Sequence, residues 1–330
     1  MKIRVVGHDG ESQFPFGTSG PWCEFRDALI SHGHEICSDD FGIRSDALIS
    51  HRHSEAAIRE ADDNKVPLSR RALVLWEPQI VEKERYSREV LEQYGLIYAP
   101  SPIWAKKVSG KSFNWPQDKV SAIEMKNSWL LREKKFVIIQ GNKFSARKGE
   151  LYSLRRKVIR TLAEKIVLFG TNWNKGIVFD WWHWSRSAMN SNLSEISLKS
   201  IIGIGRNYKN YKGITSSKRE TLLNYRYAIV IENSADFVSE KLFDCISAGC
   251  LVIYTGPPLK EFGINGSKLV IGPNDKTEIV KKCLEILELS DNEQYLLAKQ
   301  QNASLLEISN DWQNTHVLRS LAVSIIKDMN

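Results

Sequence analysis

The sequence predicts an α/β protein made of two consecutive doubly wound, Rossmann-like domains. Three observations point there. Short runs rich in Ile and Val alternate with segments of helical periodicity through both halves of the chain, the pattern of parallel strands covered by helices on both faces. A second such series begins afresh near Lys134. At 330 residues, the chain is long enough for two cores of ordinary size.

In the first series, Ile3 to Val6 predicts a strand, Cys23 to Ser31 a helix following Pro21, Ala47 to Ser50 a strand and Glu55 to Ala61 a helix. Arg71 to Trp76 (RALVLW) predicts a strand that runs directly into the polar tip EPQ. A helix over Ser87 to Gln93 and a strand over Leu96 to Tyr98 follow, with Pro100, Pro102 and Pro116 punctuating what comes next. In the second series, the strand Phe136 to Ile139 leads through QGNKFSARKGE to a helix over Leu151 to Ala163 and a strand over Ile166 to Phe169. Thr171 to Asn192 holds Trp173, Trp181, Trp182 and Trp184 among polar residues and reads as an irregular segment lining a cleft. A helix over Ser217 to Leu223 enters the apolar strand Tyr227 to Ile231. Beyond a polar loop, Val238, Leu242 and Ile246 recur at helical spacing, and Phe243 widens the stripe. Gly249 stands where a helix C-terminal glycine belongs, before the strand Leu251 to Tyr254. A strand at Leu269 to Ile271, a helix at Thr277 to Leu287 and a helical region from Glu293 complete the chain. The domain boundary is expected between Lys126 and Lys135, giving residues 1–130 and 131–330, with the last helix free to pack back on the first domain.

The composition is that of an ordinary soluble protein, 42% apolar and 26% charged. No run approaches the roughly 20 apolar residues of a membrane span, and MKIRVVGHDG lacks the apolar core of a secretory leader. The five cysteines are scattered, with no CxxC pair. A cytoplasmic protein with reduced thiols is therefore expected. The net charge of +7 suits anionic partners: nucleotide phosphates, lipid headgroups or nucleic acid. No zinc-finger spacing, aromatic RNA-binding strand or basic arm is present, so nucleic acid is not the expected partner. The basic run Arg155 to Arg160 reads as a solvated helix face. His32 with His34, and His51 with His53, invite a metal, but no cysteine or paired carboxylate completes a tetrahedral set. They read as a solvated helix end and loop, and no metal is expected.

The most informative stretch is Ile231 to Asp244, IENSADFVSEKLFD. It leaves a buried strand and opens a helix, and the carboxyl end of such a strand is the usual ligand position in doubly wound sheets. The helix N-terminus there offers free N–H groups to an anion. Lys241 can hold a phosphate, and Glu240 can accept hydrogen bonds from neighbouring sugar hydroxyls. Equally, Glu240 suits the helix dipole and Lys241 a solvated surface. On this window alone both readings stand.

The whole block Tyr225 to Gly256, YRYAIVIENSADFVSEKLFDCISAGCLVIYTG, resembles the signature of the α-1,3/4-fucosyltransferases, glycosyltransferase family 10. KSFNWPQD (Lys111 to Asp118), QGNKFSAR (Gln140 to Arg147) and LWEP (Leu75 to Pro78) are similar to shorter family segments. The likeness is strong in the middle and C-terminal half and weak in the N-terminal third. It implies the GT-B architecture, two domains facing a central cleft with the donor nucleotide on the second and the acceptor on the first. It also implies inverting transfer of L-fucose from GDP-β-L-fucose to a hydroxyl of an acceptor glycan, in α-1,3/4 linkage, for a surface polysaccharide or lipopolysaccharide. Such a reaction needs a base for the attacking hydroxyl and positive groups for the departing diphosphate.

By the resemblance Glu77 is the base; the residues alone equally allow a carboxylate capping a turn. Arg147 becomes the diphosphate clamp, suited by its planar guanidinium, and Lys241 the second cation. Glu240 would bind ribose or fucose hydroxyls, and Asn142 and Asn233 the donor. Phe237 stands where Tyr is frequent, so it can pack on the donor without donating to it. Glu232 is a ligand or an organiser of the loop. Gly141 departs from the family, which has Ser before the Asn. The implied partners are a GDP-sugar and an acceptor oligosaccharide, with no obligatory cofactor and room for peripheral attachment to a membrane. The alternatives are a transferase for another GDP-sugar and a non-catalytic nucleotide- or glycan-binding module on the same frame.

Overall fold

The computed structural model describes residues 1–7, 22–37, 44–120, 122, 126–205, 207–264, 270–271 and 275–330. They form two compact units, Met1–Lys119 with Asn310–Asn330, and Val120–Ser309. Relative to the expected division at residue 130, the segment from Val120 lies with the second unit.

In unit 1 the chain runs β1 (Lys2–Val6), α1 (Trp22–Ser31), β2 (Glu35–Cys37), β3 (Ala47–Ser50), α2 (Glu55–Asp63), β4 (Arg71–Val74), α3 (Arg88–Leu91), β5 (Leu96–Ala99), α4 (Pro102–Lys107) and β6 (Lys111–Ser112). The strands form a parallel sheet of order β2-β1-β3-β4-β5-β6. Local signals fix the helix starts. Ser54 Oγ accepts from Ala57 N at 3.3 Å to cap α2, and Ser101 Oγ accepts from Trp104 N at 3.3 Å to cap α4, whose first residue is Pro102. Strands β3 and β4 are buried along their whole length, as their continuous apolar runs require.

In unit 2 the order is α5 (Lys126–Leu130), β7 (Glu133–Ile139), α6 (Tyr152–Thr161), β8 (Ile166–Phe169), α7 (Ile177–Met189), α8 (Lys218–Leu223), β9 (Tyr225–Ile231), α9 (Glu240–Ser247), β10 (Leu251–Thr255), β11 (Val270–Ile271) and α10 (Lys276–Glu288). Leu269, the expected start of β11, lies outside the described residues. The sheet order is β11-β10-β9-β7-β8, all parallel. Apolar residues of these strands pack with Leu154 and Val158 of α6 and Ile279, Cys283 and Ile286 of α10. Gly249 ends α9 in the left-handed region, at φ +79°, which a residue with Cβ enters only with strain. The helix α11 (Asp291–Trp312) then carries the chain out of unit 2, and α12 (Asn314–Met329) returns it to unit 1. There Leu318, Leu321, Ala322, Ile325 and Ile326 join Phe25, Ala28 and Leu29 of α1 in one core. Tyr98 Oη donates to the Asp328 carboxylate.

Three readings from sequence are corrected. Most of the tryptophan-rich segment is a regular helix, α7, instead of an irregular stretch. Its aromatic run surrounds the helix, so it shows no one-sided period to read. Arg155 and Arg156 are 2% and 1% exposed, where a solvated face was expected. Their guanidinium groups point inward to backbone carbonyls that need donors. His51 is likewise buried, stacked on Trp76 at a centroid distance of 5.8 Å. Among the described residues no helix is long and apolar enough to cross a membrane, and no group of His, Cys, Asp or Glu is arranged to hold a metal ion.

Candidate functional site at the switch point of the second sheet

From β7 the chain of unit 2 steps to β8 on one side and later to β9 on the other, so the winding reverses between β7 and β9. In doubly wound sheets the crevice outside the carboxyl ends of two such strands is the ligand position. Two loops leave the sheet there, residues 140–151 after β7 and residues 232–239 after β9. They contain most of the candidate residues.

The structure joins these loops tightly. Glu150 and Ser234 pair in an antiparallel bridge, and Leu151 N donates to Asn233 O at 3.1 Å. Glu150 itself accepts from Ser153 N at 2.8 Å. Beneath them lies Arg155. It donates through one terminal nitrogen to Gly141 O at 3.0 Å. The other donates to Ile231 O at 2.7 Å, with Glu232 O and Asn233 Oδ1 further away at 3.4 Å. Burial pushes its pKa down to about 10, with the negative charge of Glu232 among the groups that oppose the shift. It therefore stays charged at neutral pH. One buried cation thus ties the ends of both strands. From sequence this residue was placed on a solvated helix face, because the carbonyls it serves are brought near only by the fold.

The second loop is organised by Glu232, which is fully buried. Its carboxylate accepts from Ser239 N at 3.0 Å and Ser239 Oγ at 2.7 Å, and Lys241 Nζ stands 3.4 Å away. In this geometry Glu232 ties Ser239 and Lys241 to the end of β9. Ser239 also caps α9, accepting from Lys241 N at 3.4 Å and from Lys241 Nζ at 2.7 Å. Gly256 completes the corner. A Cβ there would meet Tyr254 Oη at 2.4 Å and Glu232 Cγ at 2.8 Å, so only glycine fits without displacement. Burial, reinforced by the Glu232 charge, pushes the Tyr254 phenol well above its usual pKa.

Glu240 and Lys241 open α9, with Glu240 part-exposed. Lys218 of α8 reaches Glu240 and Asp244 at 3.2 Å each. Burial pushes the Glu240 carboxyl up, but the charges of Lys241 and Lys218 outweigh it and leave the pKa below the usual value. Lys218 was not singled out from sequence, because α8 is remote in the chain from α9. Phe237 is 2% exposed and belongs to the core of the loop.

Arg147 sits at the far end of the first loop. Its Nε donates to Ser191 Oγ at 2.9 Å and a terminal nitrogen to Asn190 O at 3.3 Å. Both partners follow α7, and Ser197 N donates to Ala146 O at 2.6 Å. Asn142 is held by its own N–H to Thr171 O at 2.9 Å. The buried side-chain oxygens Gln140 Oε1 and Asn142 Oδ1 meet no hydrogen-bond partner among the described residues. Orphaned acceptors of this kind are costly unless a ligand or water serves them.

Glu77 lies in unit 1, just beyond β4. Its carbonyl accepts from Tyr86 Oη at 2.9 Å. The neighbouring Trp76 donates through Nε1 to His51 Nδ1 at 3.2 Å and packs edge-on against Phe113 and Trp115. The segments LWEP and KSFNWPQD, distant in sequence, therefore meet in one aromatic cluster. Gln117 N donates to Trp312 O at 2.7 Å and fixes the second segment to the end of α11. His53 Nε2 lies 2.9 Å from Glu55 and His53 Nδ1 3.1 Å from Tyr94 Oη, which accounts for both ring nitrogens.

No protein-family model and no curated protein matches the chain. Solved structures do. The Anabaena protein HepE in complex with UDP and glucose aligns with a TM-score of 0.56 at 12% identity, over 99% of this chain and 100% of that one. An α-glucosyltransferase in complex with UDP and mismatched DNA aligns with a TM-score of 0.53 at 12% identity, over 99% and 100%. TarM aligns with a TM-score of 0.51 at 11% identity, over 86% of this chain and 54% of that one. The fold is GT-B.

Proposed function

We propose that the protein is a glycosyltransferase that takes its donor sugar from a nucleoside diphosphate. The observation that carries this reading is the pair of loops at the switch point of unit 2. They are joined to each other and stapled by Arg155, and the same loops bear Asn142, Arg147, Asn233 and, at their edge, Glu240 and Lys241. The orphaned acceptors Gln140 Oε1 and Asn142 Oδ1 mark the same place as one for a polar ligand. The cations there suit a diphosphate leaving group. In the proposed step an acceptor hydroxyl gives its proton to a base and its oxygen bonds to the sugar C1. The C1–O bond to the diphosphate breaks, and the negative charge passes to the phosphate beside Arg147 and Lys241. The base is assigned to Glu77, and Glu240 to sugar hydroxyls. Glu232 positions Ser239 and Lys241 and does not contact the donor in this reading.

The likeness of the block Tyr225 to Gly256 to the family 10 fucosyltransferases supports GDP-fucose as donor and α-1,3/4 linkage to a glycan. A second reading, a UDP-sugar donor, is favoured by the fold neighbours solved with UDP. Thermal unfolding with GDP, UDP and ADP separates them, because a ligand bound only to the folded state raises the midpoint by mass action. GDP alone raising it supports the first reading and UDP alone the second. Equal or absent shifts for all three overturn the donor site. Mass-spectrometric detection of glycosyl transfer from the chosen donor to an oligosaccharide array tests the reaction itself and sets it apart from a non-catalytic module.

A further inference from the structure

The large apolar side chains exposed on α7 form a stripe. Ile177 is 54% exposed, Val178 78%, Trp181 42%, Trp182 53% and Met189 80%. These positions fall at the spacing that lines one face of a helix. The opposite side is anchored. Asp180 is 1% exposed and accepts from Gly205 N at 2.8 Å, and Trp184 Nε1 donates to Ser200 Oγ at 2.7 Å. The orientation of the helix is thereby fixed, and its outward face is the apolar one. A surface helix ordinarily shows the reverse. Leu193 and Leu198, exposed by 90% and 76%, follow in the next turns.

The chemistry of the stripe selects its occupant. A sugar stacks on an aromatic ring but also needs hydrogen-bond partners around it, and Val178, Met189, Leu193 and Leu198 offer none. The charges around the stripe are basic. Lys175 precedes the helix, Arg186 lies with its guanidinium 5.4 Å from the Trp182 ring centroid, and Lys199 follows, all three exposed. Against them stand Asp180, turned inward, and Glu195, whose carboxylate accepts from Asn192 N at 3.3 Å. Tryptophan with aliphatic residues on one face and cations at its rim is the composition of helices that lie in a lipid–water interface. At about 1.5 Å per residue the helix is roughly 20 Å long, enough to lie on a bilayer and too short to span it.

We propose that α7 docks the protein on an anionic phospholipid surface. Val178, Trp181 and Trp182 enter the boundary between headgroups and acyl chains, and Lys175, Arg186 and Lys199 meet the lipid phosphates. The inference rests on this face alone and does not depend on the identity of the donor.

The test is co-sedimentation of the full chain with phosphatidylcholine vesicles, with and without phosphatidylglycerol, over a series of salt concentrations. Binding to the anionic vesicles, weakened by salt, is expected. A double variant Trp181→Ser, Trp182→Ser should lower the partition coefficient about 10- to 100-fold, the order set by withdrawing the exposed halves of two aromatic side chains from an apolar phase. Leu131→Ser, at an exposed leucine outside the stripe, should leave it unchanged. Unfolding curves confirm that the variants are folded, and Val178→Glu serves as a second probe should the double variant fail to fold. Equal binding of wild type and stripe variants, equal binding to neutral and anionic vesicles, or no binding overturns the proposal. So does a dimer in solution that Trp182→Glu disperses without any vesicle binding.

Discussion

Replacing Arg155 by Met keeps most of the side-chain stem and removes the guanidinium that joins the ends of β7 and β9. Gly141 O, at 3.0 Å, loses its donor, while Ile231 O, at 2.7 Å, loses one of two and keeps Gln140 Nε2 at 3.0 Å. A buried acceptor left without a partner costs about 1–3 kcal/mol, and that is the cost at Gly141 O. Against this, the variant no longer buries a cation, a penalty visible in the depressed pKa of Arg155. A net loss of about 1–2 kcal/mol follows, since breaking buried charged contacts usually remains unfavourable after that relief. For a unit of this size each kcal/mol shifts the midpoint by about 2–4 °C, so a fall of roughly 2–8 °C is expected. Because the chain has two cores, differential scanning calorimetry is the right assay, resolving one unit from the other. The transition of unit 2 should fall and that of unit 1 should stay. Affinity for the stabilising nucleotide should fall with it, because the two loops are no longer held in register. Arg155→Lys keeps the charge but not the fork of donors, and should recover only part of the loss. A unit 2 transition unmoved in Arg155→Met would refute the argument that this cation holds the loops together.

Further tests follow from the same geometry. Glu77→Gln should lower turnover about 10²- to 10⁴-fold, the usual cost of a lost general base, with nucleotide affinity unchanged; near-normal turnover would return Glu77 to a turn residue. Arg147→Ala should weaken both nucleotide binding and turnover, read by titration calorimetry and steady-state rates. Gly256→Ala should destabilise unit 2 measurably, because the added methyl meets Tyr254 Oη and Glu232; unchanged denaturant midpoints would show that the corner relaxes freely. The folded Glu240 carboxyl titrates below the ordinary glutamate value, so the stability it lends is fully present above that ordinary value. It is lost as the pH falls through the lower folded value. Lys218→Met removes one of the two charges responsible, and should shrink the acid-side loss of stability in urea titrations across that window.

Much of the architecture was legible because continuous Ile- and Val-rich runs have one economical solution, a covered parallel sheet. Strands β3, β8 and β9, the glycine turn at Gly249 and the opening of α9 could be read from spacing alone. Short pieces such as β6 and α4 could not, since they are fixed by pairing and capping over a few residues. The candidate site divided along the same line. Asn233, Glu240 and Lys241 were visible because they follow a recognisable strand. Arg155 and Lys218 were not, because their partners are carbonyls and carboxylates brought near only by the fold, and a basic residue on a helix looks solvated until its neighbours are known. The tryptophans of α7 were visible but misread, since an aromatic run all round a helix carries no period.

The return of α12 to unit 1 bears on how the protein is made. Leu318, Leu321 and Ile325 complete a core with Phe25 and Leu29 of α1, yet they are translated after the whole of Val120–Ser309. At about 5–20 residues per second, the first unit leaves the ribosome roughly 10–40 s before its missing helix. Through that interval its α1 face is open to chaperones and to wrong partners, while unit 2 can already fold. A chain cut short within α12 would carry a finished unit 2 joined to an N-terminal unit that cannot close, a clear mark for proteolytic removal.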